Sequence, residues 1–250
     1  MLWEFLTALD PRHALASALG FSIIFYAVAA NVGWANRNPG FSRAGRLISW
    51  TRAAWAPRAL RAILRWAYYL LLPYGALVLG YDSVRALGLW NLDWSGNAGI
   101  AIALLVGALV VFTWVWRPYA RAEHPAAVES SGWGRAQHFL EIFYEQAHWA
   151  FYRSGPILWL NNLYWGSFLG LALVFIEGWS NPRARESVRE ITRADTPLWT
   201  GSVAIVSAII FIFTQNFWYC LIAHLVLDFG LRPRIGFPRA SASTLSLEER

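Results

Sequence analysis

Three observations predict an all-α, polytopic transmembrane helix bundle of about seven spans. Of the 250 residues, 57% are apolar and 14% are charged, a balance that belongs to membrane proteins rather than soluble domains. Apolar stretches recur at about 13–34, 62–81, 98–116, 136–153, 156–177, 198–213 and 215–231. Each approaches the roughly 20 residues that a helix needs to cross lipid, and the short ones must borrow from their flanks. The 21 basic residues are all arginine, and they gather in every second loop.

The first span, His13 to Trp34, is uncharged. It follows no basic leader with a small-residue cleavage site, so it reads as a retained span. The loop after it holds Arg37, Arg43, Arg46, Arg52, Arg58 and Arg61. Within that loop, residues 41–61 mix arginine with Trp, Leu and Ile, the pattern of an amphipathic helix lying on a membrane face. Span two contains Pro73, which is expected to kink it. The 82–97 loop carries two tryptophans and suits the opposite interface. Span three is followed by Arg117, Arg121 and Arg135, span five by Arg183, Arg185, Arg189 and Arg193, and span seven by Arg232, Arg234 and Arg239.

The run 198–231 is too long for one crossing at about 1.5 Å per residue. Thr214, Gln215 and Asn216 are its polar break, so two helices with a tight turn are expected. Residues 240–250 read as a disordered tail. Alternate loops carry few arginines, chiefly Arg85 and Arg153. The positive-inside rule then gives the N-terminus outside and the C-terminus inside. The expectation is a single transmembrane domain over 1–250, in a bacterial cytoplasmic (inner) membrane.

Charge and cysteine content exclude other classes. The net charge of +6 sits in loops between spans, where it reports orientation and not nucleic-acid binding. The lone Cys220 rules out an internal disulfide or a thiolate metal cluster. The 16 tryptophans fit interfacial belts, so membrane lipid is the first expected partner.

The fourth span is the polar one. His138, Glu141, Glu145, His148 and Tyr152 recur at spacings of three, four, three and four, which places them on one stripe of a helix. Ionisable groups in lipid are costly and mark functional sites by default. With the topology above, Glu141, Glu145 and His148 lie roughly 8, 14 and 18 Å from the inner surface. His224 and Asp228 on span seven, spaced i, i+4, lie about 10 and 5 Å deep. Asn216 and Cys220 extend their row, and span five adds Asn161 and Asn162.

Several uses fit these residue types. A buried Glu beside a His can activate water as a general base. Glu145-x-x-His148 is a metal-ligand spacing, so His148, His224 and Glu145 are candidate ligands of a divalent metal. A Glu/His chain can also relay protons or position a quinone or pigment. Alternatively, these groups pair with one another and only lock helix packing.

The last span, TQNFWYCLIAHLVLDF, resembles the final motif of the CAAX-protease and bacteriocin-processing family of intramembrane proteases. Asn216, Trp218, His224 and Asp228 fit its pattern of a polar break, Asn, an aromatic and His-x-x-x-Asn/Asp. HWAFYRSG is similar to the family's Glu-Glu-x-x-x-Arg motif, with Arg153 as the Arg and His148 and Trp149 in the two glutamate positions. The family's Phe-x-x-x-His motif has no match here. The similarity covers roughly 136–231.

The resemblance implies an intramembrane peptidase, or a relative that has lost activity, with Glu141, Glu145, His148, Arg153, His224 and Asp228 building its polar core. Glu145 would be the base, substituting from a nearby turn. His148 and His224 would hold the water or a metal, and Arg153 would orient the carboxylates. Its partner would be a membrane-embedded peptide substrate. A different class of reading is a non-catalytic subunit of a larger respiratory or photosynthetic membrane complex, whose partners are other membrane subunits.

Overall fold

The computed structural model describes residues 10–37, 60, 63–90, 93–122, 132–189 and 195–231. Among the described residues all regular structure is helical. The helices are α1 (Pro11–Arg37), α2 (Ile63–Val78), α3 (Trp94–Ala122), α4 (Gly132–Leu160), α5 (Leu163–Ser180), α6 (Pro182–Arg189), α7 (Asp195–Thr214) and α8 (Phe217–Leu231). Apart from Leu60, the 41–61 segment lies outside the described residues, as does the 240–250 tail.

Four helices are long and apolar enough to cross a membrane: Pro11–Ala35 of α1, Trp94–Arg117 of α3, α5, and Thr196–Thr214 of α7. Helices α2 and α8 are apolar but shorter. Helix α4 runs for 29 residues, with its ionisable residues distributed along it. Large apolar side chains stand outward on the long helices, including Ile24, Val110, Trp114, Trp165 and Phe213, as lipid-facing surfaces require.

The break between the fourth and fifth spans is not at 153–156, as the sequence suggests. Helix α4 continues through Pro156 to Leu160, and the turn falls at Asn161, which takes a left-handed φ of 47°. Pro156 has no N–H to give to the carbonyl of Tyr152, four residues back. Helix α5 covers that position closely. A Cβ added at Gly170 would lie 2.8 Å from the Tyr152 carbonyl oxygen and 2.6 Å from the Arg153 Cα. At Gly166 it would lie 2.5 Å from the Ile157 Cα. These two glycines let the α4 and α5 backbones meet.

The break in the last apolar run is at Thr214–Asn216, where the polar residues stand. Helix α7 ends at Thr214, Gln215 takes a φ of 48°, and the Asn216 side chain caps α8 by accepting from the N–H groups of Trp218 and Tyr219.

The described residues gather into two compact units. The first holds those up to Leu87 together with those of Ala147–Leu198, and the second holds those of Gly88–Gln146 and those from Trp199 on. In the first unit Leu15, Leu19, Tyr68, Ala76, Phe151 and Tyr152 are buried. In the second the core forms around Trp199, which meets Phe112 edge-on at 5.1 Å and Trp116 at 5.6 Å, with Ile142, Phe211 and Leu227 also buried. Gly88 is needed here. It takes a φ of 78°, and a Cβ would lie 2.5 Å from the Phe211 ring.

Candidate functional site

The polar stripe of α4 is divided at Gln146, and each half builds its own network. In the first unit the centre is His148, which is 1% exposed. Tyr152 follows it by one turn on α4. Ser22 arrives from α1, Tyr68 from α2 and Glu177 from α5. The position of Tyr68 depends on a local irregularity. Residues Ala67–Leu71 form a π-turn in which the Leu72 N–H reaches back to the Ala67 carbonyl. Pro73 comes next and has no N–H of its own. The expected kink in span two therefore takes the form of a widened turn, a feature common at functional sites.

The distances within this network are short. The His148 Nε2 lies 3.1 Å from Glu177 Oε2 and 3.0 Å from the Tyr68 hydroxyl. Tyr68 donates to Glu177 Oε1 at 2.9 Å. The Ser22 hydroxyl lies 3.1 Å from that of Tyr68 and 3.0 Å from that of Tyr152. Aromatic rings enclose the imidazole, with centroids at 4.3 Å for Tyr152, 4.6 Å for Tyr68 and 5.1 Å for Tyr69. All five polar side chains of the network are buried. A carboxylate that touches one ring nitrogen, inside an aromatic wall, is an arrangement that can hold or move a proton.

A second contact of this unit lies in the loop after α2. Ser154 on α4 donates to Asp82 Oδ2 at 2.6 Å, and the Ser83 N–H donates to Oδ1. Burial pushes the Asp82 carboxyl up to about 6, while these two hydrogen bonds pull it back down. Arg153 is buried beside them in sequence, 3% exposed, with its backbone against Gly170.

In the second unit, α4 and α8 bring their polar faces together. His138 pairs with Asp228, which also accepts from the Trp199 indole N–H at 2.7 Å. One to two turns on, Ser207 donates to Gln146 Oε1, and the Gln146 amide meets His224 Nδ1, each at 3.0 Å. The His224 Nε2 lies 3.9 Å from Glu145 Oε2, beyond hydrogen-bond length. Glu145 is 32% exposed at its side chain, and Glu141 is half-buried one turn before it.

Of the residues singled out in the sequence, Glu145, His224 and Asp228 belong to the second network, with Glu141 on the same half of α4. His148 and Arg153 belong to the first unit. Asn161 and Asn162 do not join either network. Both are exposed at the turn, where the Asn162 side chain caps α5. Among the described residues no three His, Cys, Asp or Glu side chains are placed to hold a metal ion. The expected metal set of His148, His224 and Glu145 is not among such groups.

Sequence reading missed Ser22, Tyr68, Glu177, Gln146, Ser207 and Trp199. Glu177 carried a usable signal, since it is the lone acidic residue of the apolar α5, and a carboxylate there invites a functional reading. Tyr68 had no such signal, because tyrosines are common in membrane helices and only packing selects this one. No family model, curated protein or solved structure matches the chain.

Proposed function

We propose that this chain is an integral membrane hydrolase acting on membrane-embedded peptides, a divergent relative of the CAAX-protease type, whose base is His148 oriented by Glu177. The observation that carries the reading is the buried contact of 3.1 Å between the His148 Nε2 and the Glu177 carboxylate. Carboxylate-held imidazole is a recurrent general-base device. It supplies the carboxylate–imidazole couple that the sequence lacks at the two positions of the glutamate motif, His148 and Trp149.

The reaction would run in two proton transfers. The imidazole takes a proton from water as the water oxygen bonds to the peptide carbonyl carbon. The carbon–nitrogen bond then breaks, and the imidazolium returns the proton to the leaving amine. The Tyr68 and Tyr152 rings wall the imidazole and face the imidazolium that forms when it takes the proton. Completing the reading are seven membrane passages, an outer N-terminus, an inner C-terminus and a bacterial cytoplasmic membrane, all supported by the arginine distribution.

The test is cleavage of a panel of membrane-inserted peptides by full-length protein in mild detergent, compared with H148A, E177A, E145A and H224A. Loss in the first two with retention in E145A is the expected pattern. No cleavage by the unmodified protein, together with stoichiometric co-purification of other membrane subunits, would replace this reading with that of an accessory subunit.

A further inference from the structure

We infer that Glu177 and Tyr68 are positioning residues that fix His148 as the Nε2–H tautomer, so that Nδ1 is the nitrogen that accepts the reacting proton. This rests on the hydrolase reading for its chemistry, but its geometry stands apart from it.

The assignment follows from counting protons. Ionised Glu177 only accepts hydrogen bonds. Tyr68 has one proton, and it goes to Glu177 Oε1 at 2.9 Å. The Nε2 atom then faces two oxygens, Glu177 Oε2 at 3.1 Å and Tyr68 Oη at 3.0 Å, and neither has a proton to offer it. A bare Nε2 would set lone pair against lone pair at both contacts, so Nε2 carries the proton and donates to the carboxylate. The Ser22 hydroxyl continues the same direction and donates to Tyr68. The Tyr152 hydroxyl lies 3.0 Å from that of Ser22 and 3.3 Å from that of Tyr68. The chain of donors runs from Ser22 through Tyr68 and ends on Glu177, which receives His148 from the other side.

One atom is left over. His148 Nδ1 is buried and has no hydrogen-bond partner. In a neutral Nε2–H imidazole this nitrogen holds the basic lone pair. A buried acceptor with nothing to accept from costs free energy in a purely structural site, and such an exception calls for an explanation. A proton-bearing substrate or nucleophile that meets Nδ1 during the reaction supplies one. On protonation, the Nε2–H stays on Glu177, and the cation is faced by that carboxylate and by the rings of Tyr68, Tyr69 and Tyr152.

The experiment reads the tautomer directly. Full-length protein carrying ¹⁵N-labelled histidine is placed in lipid nanodiscs, and the ring-nitrogen shifts of His148 are identified by their loss in H148N. The unmodified protein is expected to show a protonated Nε2 and a bare Nδ1. In E177Q the Tyr68 hydroxyl keeps the amide oxygen at the Oε1 position and turns the amide NH₂ toward Nε2. The proton is then expected on Nδ1, with cleavage down by at least about 100-fold. In the Y68F/E177Q pair the amide is released to rotate, and the Nε2–H form is expected to return. A His148 proton on Nδ1 in the unmodified protein, which requires no variant to fold, overturns the inference. So does an E177Q protein that keeps the proton on Nε2. The expected tautomers without cleavage of any peptide support the positioning and sink only the hydrolase reading.

Discussion

His148 on α4 and His224 on α8 sit in two different environments. His148, in the first unit, has a carboxylate at 3.1 Å and hydroxyls aligned toward that carboxylate. His224, in the second, has a neutral amide at 3.0 Å, and its nearest carboxylate, Glu145, stands 3.9 Å away and a third exposed. The amide oxygen of Gln146 is occupied by Ser207, so the amide presents its NH₂ to His224 Nδ1. One network is organised around a buried carboxyl group and the other around a neutral amide with carboxyl groups at its margin. The lesson is that the partner atom, not the histidine, determines what each imidazole can do.

That comparison breaks most visibly if the buried carboxylate is removed. E177A takes away the acceptor that the His148 Nε2–H and the Tyr68 hydroxyl share. We expect a loss of about 3 kcal/mol, read as a fall in thermal midpoint in detergent. E145A, at the more exposed pair, should lose no more than about 1 kcal/mol. Similar losses in the two variants would show that the distinction between the networks is wrong.

Asp82 tests whether the first unit tolerates a second buried charge. Its folded carboxyl is raised to about 6 from an ordinary 3.8. Between those two values, rising pH strips the proton from the unfolded chain while the folded chain keeps it. Stability from this group therefore falls as pH rises through the window, and its full cost is present above about 6. In D82N the amide oxygen can accept from Ser83, while its NH₂ donates to Ser154. The variant should gain up to about 3 kcal/mol at pH 8 and nothing below pH 4. A gain that does not depend on pH would rule out the charge as its cause.

Gln146 does the corresponding work in the second unit. In Q146L both His224 Nδ1 and the Ser207 hydroxyl lose their buried partner, at a cost of about 1–3 kcal/mol. Peptide cleavage by His148 should persist once the protein is folded, since the side chain of Gln146 hydrogen-bonds to Ser207 and His224. The smallest expected effect is that of N216A, which removes the cap of α8 and should cost about 1 kcal/mol, measured by chemical denaturation in the same detergent.

Much of the helix layout was legible in the residue order. The polar triplet Thr214–Asn216 marked a real helix boundary because asparagine caps a helix with its side chain wherever the helix packs. The sequence misled at Arg153–Pro156, where a proline and a glycine suggested an ending. Helix α4 passes through, and Gly170 of α5 lies against the carbonyl that Pro156 leaves without its helical partner. That neighbour stands on another helix, beyond the turn, and the residues around Pro156 do not report it.

The site was legible in part for the same reason. Composition and spacing alone determined that this chain is helical and built for a membrane, and that His148, His224, Glu145 and Asp228 share faces of two helices, because hydropathy and a period of 3.6 residues are local properties. Tertiary structure alone decided which atoms meet. It gave His148 to Glu177 and Tyr68, and His224 to Gln146, through contacts between residues 29 to 80 positions apart. A hydrogen bond depends on distance and direction between helices, and neither quantity is written in the periodicity of any one of them.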